Sequence, residues 1–169
     1  MELMEALLTR RSVRKFSGEP ISADDLTAIL RSGSYAPSAM NRQPWHFVVL
    51  RERETLEAIT KIQPYTQMLP KAGCGIVVCG DKLRQPQMGF LVEDCSAAIQ
   101  NMLLAAHGLG LGAVWCGLYP VSIFTKPLGK LLKLPIQMVP VGLIAVGHKT
   151  EDRTVAERFD PDRVHYEVW

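Results

Sequence analysis

Only four cysteines occur, Cys74, Cys79, Cys95 and Cys116, and none belongs to a CxxC pair or to a Cys/His cluster with metal-ligand spacing. A zinc site or a disulfide framework is therefore disfavoured. Cys79 and Cys116 lie inside apolar runs and read as small buried hydrophobes. Charge of one sign is also missing. The 19 Lys+Arg against 17 Asp+Glu leave a formal net charge of +2, too weak a field to gather nucleic acid or to hold the chain on an anionic membrane. No stretch approaches the roughly 18 uninterrupted apolar residues of a spanning helix. The N-terminus lacks the order of a secretory signal, because Glu2 and Glu5 precede its apolar run and the basic residues follow it. A cytoplasmic protein is expected, with no nucleic-acid or membrane partner. GxGxxG after a strand and GxxxxGK[ST] are both absent, which removes the usual support for Rossmann and Walker nucleotide sites.

What is present is a chain of 169 residues, 47% apolar and 21% charged, the ordinary balance of one globular domain. A short helix is expected over 2–9. A second spans 22–34, with Ser22 and Asp25 at capping-box spacing, Gly33 near the end, and Leu26, Ile29 and Leu30 on one face. Strands are expected at 46–50, 75–80, 113–118 and 139–147. Between them come a charged helix over 52–62, an almost wholly apolar helix over 92–109, and one helix or two short ones over 120–132. A helix that is apolar all round must be buried on all sides, and in so small a chain a dimer interface would accomplish that. The tail, 157–169, regains apolar content with Phe159, Val164, Tyr166 and Trp169, and such a tail is expected to dock against something. The order α–α–β–α–β–α–β–α–β predicts one sheet covered by helices, an α+β or α/β sandwich.

Two motifs carry chemistry. Arg10, Arg11, Ser12, Arg14 and Lys15 put four cations into six residues where the first helix should end. Guanidinium forks suit a phosphate, although a solvated basic turn would read the same. Residues 36–47, APSAMNRQPWHF, specify a rigid non-helical loop rich in backbone donors and acceptors. Such a loop could line a planar heterocycle, or simply anchor Trp45 in the core.

RRSVRKF at 10–16 followed by APSAMNRQPWHF resembles the opening of the FMN-dependent nitroreductase family. EDCSAAIQNMLLAAHGLGLGAVWCGLYP at 93–120 resembles its central helix and following strand, and VPVGLIAVGHKTED with ERFDPDRVHYEVW its end. The resemblance covers nearly the whole chain. It implies an α+β, three-layer sandwich with a mainly antiparallel central sheet, forming an intertwined homodimer in which residues 1–169 are one FMN-binding domain and the tail 157–169 docks on the partner. It further implies that Arg10, Arg11 and Ser12 hold the FMN phosphate and ribityl chain, with Arg158 returning to the phosphate. Arg14 would lie at the pyrimidine edge of the ring, where its charge would raise the reduction potential. Gly117 and Leu118 would offer backbone groups to N5 or O4. Pro37, Ser38, Met40 and Asn41 would contact the flavin bound mainly by the other subunit.

The implied activity is ping-pong hydride transfer from NADH or NADPH through FMN to nitro compounds, quinones or similar acceptors, with no catalytic side chain required. Reductive dehalogenation, flavin breakdown and non-enzymatic flavin binding are the alternatives. Larger family members carry an extra Lys or polar pair before the second strand. Here Gln67, Met68 and Leu69 occupy that place, and either Gln67 or Lys71 could be the group that approaches the ring. Residues 81–89 leave no room for a lid, so the site should be open. His107 and His46 read as structural, Asp94 and Gln100 as structural hydrogen-bonders, and His148 as a second candidate for the phosphate or ribityl region.

Overall fold

The computed structural model describes residues 1–152 and 154–169. The helices and strands run in the order α1 (Leu3–Thr9), α2 (Ala23–Ser34), β1 (Trp45–Leu50), α3 (Arg53–Ile62), β2 (Cys74–Asp81), α4 (Met88–Gly108), β3 (Gly112–Gly117), α5 (Ser122–Leu131) and β4 (Met138–Gly147). The strands form one sheet in the order β1-β2-β4-β3, and every neighbouring pair is antiparallel. Because successive strand residues point to opposite faces, Ile76, Val78, Ile144 and Val146 pack beneath α2 and α4. Val77, Cys79, Leu143 and Ala145 meet Leu56 and Ile59 of α3 and Leu128 of α5 on the other face. Helix, sheet and helix thus make the three layers expected. Each fully buried Ile or Leu contributes about 1.5–3 kcal/mol to holding them together.

Local chemistry accounts for the main elements. Ser22 caps α2, its Oγ accepting the N–H of Asp25 at 2.9 Å and donating to the Asp25 carboxylate at 2.7 Å. Gly33, expected as a stop signal, lies inside α2. A Cβ there would come within 2.8 Å of the Met102 side chain, so the glycine serves the close approach of α2 to α4. The 120–132 region resolves into the single helix α5, with Pro127 inside it. In β4 the pairing with β2 slips between Val78 and Cys79, where Pro140 sits opposite Cys79. A bulge is a place where a strand tolerates proline. The carbonyl of Val141 there accepts from both Leu118 and Tyr119, each at 3.2 Å.

The expectation that α4 must be covered on every side by a second chain needs modification. Within one chain the sheet lies beneath it, burying Leu91, Cys95, Ala98, Ile99, Met102 and Ala106, while α2 and α1 pack alongside. What remains open is a half-exposed strip with Phe90 and Leu109 at its ends. The larger exposed apolar surface is elsewhere, on Leu3, Met4, Leu7 and Leu8 of α1 and on Phe159, Tyr166, Val168 and Trp169 of the tail. None of the described helices is long and apolar enough to cross a membrane.

Candidate functional site

α1 stops at Thr9, and the backbone of Arg10 turns extended. From there residues 10–17 run beside the sheet. Ser12 bridges Ala113 in parallel and Phe16 bridges Lys149, and the Val13 N–H donates to the Ala113 carbonyl at 3.0 Å. The basic motif therefore meets the outer edge of β3 at residues 12–13 and then pairs, at residues 15–17, with the chain that follows β4.

Carbonyls along a strand point alternately to its two sides. Ala113 turns its carbonyl away from β4 toward Val13, and Gly117 turns its own toward Gln63, whose Nε2 donates to it at 2.8 Å. The backbone groups of Ala113, Trp115 and Gly117 thus face the outer edge of β3. Residues 12–13 cover the beginning of that edge, and a cavity of 540 Å³ lies along the rest, lined by Arg14, Gln63, Tyr65, Gln67, Trp115 and Gly117 among others. Its size falls within the roughly 300–1,000 Å³ usual for small-molecule sites. A second hollow of 620 Å³ shares Arg14, Gln67 and Met68 and adds Lys15 and Lys71. Gln67 therefore reaches both hollows, and Lys71 only the second.

At the other end of the basic segment, a 270 Å³ cavity is lined by Thr9, Arg10, Arg11, His107, Lys149 and Asp152 among others. Burial, then the charges of Arg158 and Arg11, lower the pKa of Arg10. Arg158 joins Arg10 and Arg11 in lining an adjoining hollow of 420 Å³, so arginines far apart in sequence converge there. Such convergence costs free energy unless an anion offsets it. Lys149 pairs with Asp152 at 2.6 Å. Nε2 of His107 lies 2.8 Å from the Thr9 hydroxyl, and its pKa is lowered by burial and then by Lys149 and Arg10.

Arg11 is more committed than the sequence indicated. Its guanidinium donates to the carbonyls of Leu8, Arg10 and Ala156 at 2.9, 2.8 and 3.2 Å, closing the C-terminal end of α1 and tying the tail to it. Ser12 is half-buried. Leu118 is fully buried; its N–H is bonded to Val141 and its carbonyl to the N–H of Val121. Of the two turn residues named from the sequence, Gly117 is the one with backbone facing the cavity. Pro37, Ser38, Met40 and Asn41 line neither cavity; they stand on the loop between α2 and β1, with Met40 84% exposed. His148 contributes its carbonyl to the N–H of Ser17.

Gln63 went unnoticed in the sequence, being one amide at a helix end and 54 residues from its partner Gly117. Lys149 and the cavity-lining role of His107 were missed for the same reason, since only packing brings them to Arg10. All four cysteines are free and buried. Burial pushes the thiols up, to about 11 for Cys74 and about 12 for Cys79 and Cys95, so they remain protonated and unreactive near neutral pH.

Comparison with known proteins adds the lineage. A protein of Methanothermobacter thermautotrophicus provisionally named NADH dehydrogenase/NAD(P)H nitroreductase is 42% identical over 169 residues, covering 100% of this chain and 88% of that protein. A crystal structure provisionally given the same name, from Parabacteroides distasonis, superposes with a TM-score of 0.94 at 35% identity and 98% coverage of both chains. A provisionally named nitroreductase from Desulfovibrio desulfuricans, solved in complex with FMN, matches with a TM-score of 0.88 at 30% identity over 100% of this chain and 98% of that one. The profile of the Nitroreductase family matches residues 7–73 and 64–148, and with the relatives and the superposed structures in agreement, the chain belongs to the nitroreductase family.

Proposed function

We propose that the protein passes a hydride from NADH or NADPH through FMN to quinones, nitro compounds or similar small acceptors by a ping-pong route, working as a homodimer in the cytoplasm. As a family member it is an NAD(P)H-dependent flavin oxidoreductase. The observation that carries this reading is the open outer edge of β3. There the backbone of Trp115 and Gly117 faces a cavity of 540 Å³, with Arg14 among its lining residues, while Arg10 and Arg158 line one hollow at the far end of the same segment.

These residues fit FMN. The ring belongs beside the β3 edge, with Gly117 supplying a backbone donor and Arg14 a positive charge. The phosphate belongs with Arg10 and Arg158, supported by Arg11, with Ser12 toward the ribityl chain. Bound FMN supplies two-electron acceptance and donation of a hydride. The chain supplies placement and field. The β3 edge fixes orientation through preorganised dipoles, and Arg14 adds electrostatic stabilisation where negative charge gathers. Among the described lining residues the buried polar side chain is Gln63, whose amide already serves Gly117 and Tyr65, and a site that offers acceptors no matched buried polar group rejects analogues weakly.

The second copy belongs to the proposal as well. Residues 1–169 act as one domain, the tail 157–169 lies on the partner, and Pro37, Ser38, Met40 and Asn41 reach the flavin held by the other subunit. The exposed apolar side chains of α1 and the tail support this, since apolar patches beyond a few hundred Å² are uncommon on monomers. The test is direct. The protein should purify yellow, release FMN rather than FAD on acid treatment, and give parallel double-reciprocal lines when NADH is varied against a quinone and against a nitroaromatic. Intersecting lines, activity with one acceptor alone, or no flavin uptake on reconstitution would overturn the reading.

A further inference from the structure

The loop between α2 and β1 is strained, exposed and pinned from below. Met40 and Asn41 each have φ 53°, and Gln43 has φ 47°. Asn tolerates the left-handed region, but Met and Gln do so only where the surroundings impose it. The imposition is visible. Asp94, on the core face of α4 and only 5% exposed, accepts the N–H of Ala39 on one carboxylate oxygen at 2.8 Å. Its other oxygen lies 3.5 Å from Nε2 of Gln85, a side chain 1% exposed. The Gln85 carbonyl in turn accepts from Arg42 at 3.3 Å. One buried carboxylate therefore holds the loop at Ala39 directly and at Arg42 through an amide. The Ser38 hydroxyl closes the loop by accepting the N–H of Gln43 at 3.0 Å.

A carboxylate in a core is costly unless charge-assisted hydrogen bonds offset it. An apolar residue would suit that face of α4 better if packing were all that mattered. Here the carboxylate sets an exposed backbone in an unfavourable shape, and strain of that kind accompanies functional sites more often than plain turns.

We propose that Asp94, with Gln85, is a positioning residue for cofactor binding: it preorganises the 38–43 loop of one subunit to close over the FMN held by the cations of the other. This rests on the flavin site and homodimer proposed above. Asp94 touches no cofactor itself, and its influence passes through the backbone of Ala39.

The test uses the full-length dimer and FMN titrations followed by quenching of flavin fluorescence. Asp94→Ala should bind FMN about tenfold or more weakly while remaining folded and dimeric, with faster amide exchange at Ala39 and Asn41. Asp94→Asn, which keeps an acceptor for the Ala39 N–H, should rescue most of that affinity. Mixing Asp94→Ala with Arg10→Ala subunits gives the readout a merely structural role would not move. In the mixed dimer one site carries both lesions and the other neither, so half of the sites should regain wild-type affinity. Wild-type affinity in Asp94→Ala, or no recovery on mixing, would overturn the proposal. A wild-type protein that takes up no FMN would overturn the flavin reading and this one with it, an outcome distinct from a latch that fails while wild type binds.

Discussion

The side-chain amide of Gln63 donates a 2.8 Å hydrogen bond to the carbonyl of Gly117, while its oxygen accepts the N–H of Tyr65 at 2.9 Å. One buried amide thus fixes both the open end of β3 and the chain on the opposite wall of the cavity. Gln63→Ala removes the protein partner of the Gly117 carbonyl and of the Tyr65 N–H, and because both residues are exposed, water replaces part of what is lost. It should destabilise the fold by about 0.5–1.5 kcal/mol, read as a lower urea midpoint, and weaken FMN severalfold. An unchanged midpoint with unchanged FMN affinity would show that Gln63 fixes neither wall.

At the cationic end, Arg10→Ala removes a charge-assisted contact to phosphate. FMN affinity should fall about ten- to a hundredfold, more than for replacement of any cysteine. Arg11→Ala should act mainly on stability, since its guanidinium already serves the carbonyls of Leu8, Arg10 and Ala156. Titration of each variant with FMN checks both statements. Equal affinity in wild type and Arg10→Ala would remove the phosphate from that cavity.

His107 predicts a pH dependence. Its folded pKa lies below the ordinary 6.5, through burial and then the charges of Lys149 and Arg10. Between the folded value and 6.5 the unfolded chain binds the proton more readily, so stability rises with pH through that window and falls as the solution is acidified below 6.5. His107→Gln should flatten the response. Urea midpoints across pH 5–8 test it, and an identical slope in the variant would assign the acid sensitivity to other groups.

Light scattering should give twice the chain mass of 18.8 kDa. Tyr166→Ser together with Trp169→Ser should raise the dimer dissociation constant, because Trp169 is wholly exposed and Tyr166 largely so in one copy and such apolar side chains gain most from being covered. A stable monomer in the wild type would remove the second copy from the site.

Much of the fold follows from local rules that a sequence displays. The continuous apolar run of β2, the Ser22 cap and the polar breaks between elements each act within a few residues, so all nine elements could be placed within a few positions. The basic segment and the proline-serine loop were visible as motifs because each concentrates unusual residues in a short stretch. What the sequence could not display depends on distance along the chain. Pairing of Gln63 with Gly117, of His107 with Thr9, and of Asp94 with Ala39 arises only when the sheet brings its two ends and α4 together. Periodicity placed Asp94 and Gln100 on an apolar helix but could not say what lay above them. Tertiary structure also separated residues the motifs had grouped. Leu118 spends its backbone on Val141 and Val121, Gly117 faces the cavity, and Arg11 caps α1. Hydrogen bonds to backbone are set by register and bulge geometry, and no single residue's identity records those.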